Sequence, residues 1–179
     1  MQTRVPFVLA ALASALFFAG AHAEDQTISV PGEGWRIRFT APRLTPIESR
    51  EPSLYSGMAG RLRLSFLVET PRCAGPDSNE NIYNCFAAVL EKDAAVVSHT
   101  EHSNVARNGV HVTYLSEREP EYGTGRALNV NVLFARHGKW ANVHVSMNAP
   151  QKEDVNAVFD VVNSIVAEDE PDQVPTDMQ

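Results

Sequence analysis

LNVNVLFARHGKWANVHVSM, residues 128–147, decides the fold. It alternates apolar and polar residues on both sides of His137-Gly138, a pair that suits a two-residue hairpin turn. With the turn there, Arg136 pairs with Lys139 and the register runs outward. Val132 then faces Val143, Val130 faces Val145 and Leu128 faces Met147. On the other side Asn131 meets His144 and Asn129 meets Ser146. A slip of one residue would mix the two classes. The pattern therefore predicts an antiparallel hairpin with one apolar and one polar face.

Just upstream, Asn108-Gly109 is the strongest short hairpin signal, since both residues tolerate positive φ. A two-residue turn there pairs Arg107 with Val110, Val105 with Val112 and Asn104 with Thr113. Carried across both hairpins, the polar face gathers His111, Thr113, Asn129, Asn131, Asn142, His144 and Ser146. His102 and Asn104 extend the row on the neighbouring strand, and Trp140 shares its face. This expectation requires the imidazoles of His111 and His144 to lie on one side of the sheet. Such a row fits a solvated face, a partner-binding surface, or a zinc or copper site built on His102, His111 and His144. No carboxylate or cysteine joins the set, so no metal or other cofactor is assigned. A helical layer over this face would make the row a buried hydrogen-bond network instead.

Two helices complete the pattern. Asp77 reads as an N-cap with Glu80 three residues on, opening a helix that runs to about Lys92. Its Ile82, Cys85, Phe86 and Val89 fall on one face. The second helix follows Pro150 and carries the stripe Val155, Val158, Phe159, Val162, Ile165 and Val166. Earlier strands are expected at residues 27–30, 35–40 and 61–69. A long connection over residues 42–60 has room for one short strand near residues 44–48. The order is strands, helix, four strands, helix. It predicts an α+β domain, an antiparallel sheet of about six strands with helices packed on it.

Cys73 and Cys85 are the two cysteines of the chain. Eleven residues separate them, too many for a Cys-x-x-Cys redox pair or half a zinc site. A disulfide tying the third strand's exit to the first helix is expected. It fits the N-terminus, where Arg4 precedes an apolar run that closes on Ala21-His22-Ala23. Residues 1–23 read as a secretory signal peptide, residues 24–167 as one domain and residues 168–179 as an acidic disordered tail. The expected compartment is the periplasm, with secretion beyond it as the variant. The apolar run is short for a bilayer span, and no other follows it.

The chain has 15 basic and 22 acidic residues, a formal charge of −7. Five of the acids lie in residues 168–179, and no base does. Nucleic acid is a poor partner for such a chain, because phosphates need clustered Lys and Arg. His99-Thr100-Glu101-His102 is not the His-Glu-x-x-His helix of a metalloprotease. Gly123-Thr124-Gly125 precedes no helix start that would bind phosphate, and the Gly-x-Ser-x-Gly elbow is absent from the sequence.

The opening Trp35-x-Ile37-x-Phe39-x-x-Pro42, the single helix after the third strand, and Trp140-x-x-Val143-His144-x-Ser146 leading through Pro150 into a last helix form a recognisable order. In this the chain resembles the Mog1/PsbP-like family of small α/β/α sandwiches, in a bacterial exported form, over residues 27–167. The resemblance implies a binding or assembly module, since the family includes Ran-binding proteins, extrinsic photosystem subunits and secretion chaperones. It carries no functional residue over to this chain. The expected function is a non-enzymatic binding or accessory protein with another protein as partner. An immunity protein or inhibitor of a secreted toxin, and a metal-dependent enzyme using the histidines, are the alternatives.

Overall fold

The computed structural model describes residues 23–48, 54–103, 109–117 and 125–170. Ten strands and two helices follow in the order β1 (Ala23–Val30), β2 (Trp35–Pro42), β3 (Thr45–Pro46), β4 (Tyr55–Ala59), β5 (Leu62–Glu69), α1 (Asn79–Leu90), β6 (Val96–Ser103), β7 (Val110–Glu117), β8 (Arg126–Arg136), β9 (Lys139–Asn148), α2 (Lys152–Ser164) and β10 (Val166–Asp169). Seven strands form one antiparallel sheet in the order β3-β4-β5-β9-β8-β7-β6, and β1-β2-β10 form a second. The class is α+β. The main sheet is larger than the expected six strands, because β4 arises inside the connection and pairs with β5 through a tight turn at Gly60-Arg61.

The β8–β9 hairpin has the register read from its alternation, from Arg136 opposite Lys139 to Leu128 opposite Met147. His137 and Gly138 have φ of 52° and 73°, as a two-residue turn matched to strand twist requires. Val130, Val132, Val143 and Val145 are each at most 1% exposed. At about 1.5 kcal/mol per buried valine, a one-residue slip of either strand forfeits several kcal/mol. This apolar face meets Trp35, Ile37 and Phe39 of β2 and Val158, Val161 and Val162 of α2 in the main core. Trp35 stacks edge-on against Phe66, with ring centroids 6.2 Å apart.

Helix α2 starts later than Pro150 suggests. Gln151 is its N-cap, and the Gln151 backbone N–H donates to Asp154 Oδ2 at 2.7 Å. Ser164 ends it, and Ile165 turns extended. The chain then runs back along β2, with Ala167 opposite Ile37. Val166 therefore lies in a strand and not on the helical stripe. Glu168 and Asp169, placed with the acidic tail by composition, are strand residues too, and Glu168 pairs with Arg36 at 2.8 Å.

The Asn108-Gly109 hairpin differs from expectation. Ser103 lies opposite His111, Thr100 opposite Thr113 and His99 opposite Tyr114. Thr113 thus faces Thr100 and not Asn104, so the connection is longer than two residues. Residues 104–108 lie outside the described residues.

Candidate functional site

Directly paired residues in a sheet point to the same face. Asn131 pairs with His144, Asn129 with Ser146, Leu133 with Asn142 and Ala135 with Trp140, so these eight share the face opposite the main core. On β7, however, His111 pairs with Val132 and Thr113 with Val130. His111 and Thr113 therefore stand on the valine side, and His111 and His144 lie on opposite faces of the sheet. The expected single row is corrected here, and the histidine metal centre goes with it. The cause is that both faces are covered. Val110, Val112, Tyr114 and Ser116 are the β7 residues on the second face, and Val112 and Tyr114 pack there with α1. His102 lies in β6, but its side chain, like all of Asn104, is outside the described residues. Among the described residues no three His, Cys, Asp or Glu side chains converge as metal ligands.

Helix α1 caps one end of this second face. Ile82 and Leu90 pack with Val112, Leu133 and Trp140, and Cys85, Phe86 and Tyr83 flank them. The helix is anchored at its N-terminus. Ser78, not Asp77, is the N-cap, accepting from the Asn81 backbone at 3.2 Å. Asp77 Oδ2 instead accepts from the Gly138 N–H at 2.9 Å, and Asn79 Oδ1 from the Ala135 N–H at 2.8 Å. Both bonds tie the helix start to the β8–β9 hairpin. Cys73 and Cys85 form the expected disulfide, with Cα atoms 6.0 Å apart.

Beyond the apolar end, the polar residues are bonded to one another. Asn131 Nδ2 donates to Asn142 Oδ1 at 2.7 Å. Asn129 Nδ2 donates to Ser116 Oγ at 2.9 Å, and Asn129 Oδ1 lies 3.0 Å from His144 Nε2. Burial lowers the His144 pKa to about 4, although part of the residue's surface remains accessible. The ring is therefore neutral at pH 7, with Nε2–H the donor to Asn129. Asn129 and Asn131 are only 6% and 3% exposed. A network of amides, a hydroxyl and a neutral imidazole orients side chains but offers no activated nucleophile and no acid–base pair near pH 7. Ser116 belongs to it, and no sequence motif singled that residue out.

Between α1 and the end of β5 lies a cleft of about 200 Å³, lined by Leu67, Ile82, Phe86, Val89, Leu133 and Trp140. The Arg72–Glu69 ion pair and Asn142 edge it. Val89 was expected on the buried stripe, yet it is 62% exposed. The helix presents Ile82, Phe86 and Leu90 to the sheet, and this turns Val89 to the cleft's margin. Trp140 is 2% exposed, and its Nε1–H has no hydrogen-bond partner among the described residues. A more open hollow of about 440 Å³ adjoins it across Leu67 and Glu69, where Lys139 reaches Glu33 at 3.4 Å.

Comparison with solved structures brings out a likeness to the solution structure of cyanobacterial PsbP (CyanoP) from Synechocystis sp. PCC 6803. It spans 88% of this chain and 99% of that one at 15% identity, with a TM-score of 0.51. The fold is PsbP-like. No family model and no curated protein matches the sequence. At this identity the likeness concerns architecture alone.

Proposed function

We propose that this chain is an exported, non-enzymatic accessory protein that binds another protein at the cleft beside α1. The carrying observation is the cleft itself. It sets an exposed valine, a half-buried phenylalanine and a buried tryptophan around a concave apolar surface with a charged rim. Aromatic anchors in a pocket ringed by polar groups are the usual centre of a protein interface. The bonded polar row supports the cleft floor, because Asn142 belongs to both. Export is supported by the apolar N-terminal segment ending in Ala21-His22-Ala23 and by a disulfide, which persists in oxidising compartments. No described helix is long and apolar enough to cross a membrane.

Val89→Glu tests the site, since it places a charge in the cleft at a position already exposed. Affinity capture from periplasmic extract with the wild-type protein should retain a specific protein. The variant should lose at least tenfold of it while its thermal melt stays within about 2 °C. Equal capture by both proteins contradicts the assignment of the cleft.

A further inference from the structure

We propose that the Cys73–Cys85 disulfide is a redox latch on α1, and that its reduction releases the helix from the sheet and opens the cleft. As regulation of the docking surface this rests on the binding reading above. As a change in the free protein it stands alone.

Three observations meet here. The apolar contacts of α1 form a cluster of their own, with Ile82, Leu90, Val112, Leu133 and Trp140, separate from the main core on the other side of the sheet. The helix can therefore leave without opening that core, as locally cooperative units do. Two of its polar attachments to the sheet, Asp77 to Gly138 and Asn79 to Ala135, lie at its N-terminal end. A 12-residue helix is marginal without its packing partners, and residues 70–78 leading into it have no regular structure. Finally, Cys73 is exposed, while Cys85 lines the cleft on its helical wall. A reagent reaches the bond from solvent, and the consequence falls on the cleft.

The reductant is a dithiol. One of its thiolates attacks the exposed Cys73 sulfur, forms a mixed disulfide there and expels the Cys85 thiolate, which takes up a proton. The reagent's second thiol, as thiolate, then attacks its own sulfur in that mixed disulfide, releasing Cys73 as a thiol. Two electrons and two protons pass to the protein, and the dithiol becomes a disulfide.

Hydrogen exchange on the free, oxidised full-length mature protein, before and after treatment with dithiothreitol, tests this without any partner. Thiol counting confirms the reduction. Amides of α1 should exchange at least tenfold faster after reduction, while those of β2, β8 and β9 change by less than twofold. The Cys73→Ala/Cys85→Ala variant should show the same pattern with no reductant. Unchanged helix rates in a fully reduced protein overturn the latch. So does a bond that dithiothreitol cannot reduce under native conditions. Acceleration spread evenly over helix and sheet, or a double variant that fails to fold, makes the disulfide a staple of the whole domain and equally overturns it. None of these outcomes depends on whether the cleft binds a protein.

Discussion

His144 illustrates what burial does to one side chain. Its pKa lies near 4 against an ordinary 6.5 because desolvation disfavours the imidazolium. Between those values the unfolded chain binds a proton that the folded protein does not. The stability present at pH 7 is therefore lost as pH falls from about 6.5 to about 4, by up to ~3 kcal/mol from this residue. His111, whose pKa burial also lowers, adds to the same slope from the other face. Asp154 and Asp169 act in a separate window. Hydrogen bonds from the Gln151 backbone and Arg61 hold the Asp154 carboxyl below its usual range, and Arg136 does so for Asp169. Their contributions are lost only as pH drops below about 4. Urea midpoints should thus fall between pH 7 and pH 4.5 in the wild type. His144→Gln, which keeps a donor for Asn129, should remove the larger part of that drop. Parallel slopes for the two proteins would mean that the ring titrates as if exposed.

At the scale of elements, the hairpin β8–β9 and helix α1 are mutually dependent. The hairpin's turn donates Gly138 N–H to Asp77, and its strand donates Ala135 N–H to Asn79. Asp77→Ala and Asn79→Ala should each cost about 1 kcal/mol, measured by urea unfolding, because each leaves a backbone donor without its acceptor. Gly138→Ala should cost a similar amount through its φ of 73°. Costs near zero for the first two would show that the helix start is held by packing alone. The hairpin was legible in the sequence because a turn and two clean alternations agree on one register. Strand β7 was not, since Val110-His111-Val112-Thr113 alternates equally well in either phase. Assigning its valines to the valine face assumes a single apolar side. Leu133, Ala135 and Trp140 argued otherwise: they alternate in phase with Asn129, Asn131 and Asn142, and so place an apolar patch on the polar face. The stripe of α1 is its complement. Strand β4 left little trace, being five residues with a glycine at its centre.

For the molecule as a whole, the account is of a sheet covered on both sides. One face packs on α2 and the β1-β2-β10 sheet, and the other carries α1 at one end and a hydrogen-bonded polar row beside it. The α+β class, the helix positions and the disulfide follow from periodicity and cysteine spacing. The cleft does not, because it depends on where α1 stops relative to the end of β5, a long-range relation that local pattern leaves open. Nuclear Overhauser contacts of the two imidazoles test the arrangement most directly. The ring protons of His111 should contact the methyls of Val132, and those of His144 the side chain of Asn129, with no contact shared between the two sets. Contacts from the His111 ring to Asn131 or His144 would place both imidazoles on one face and contradict the account.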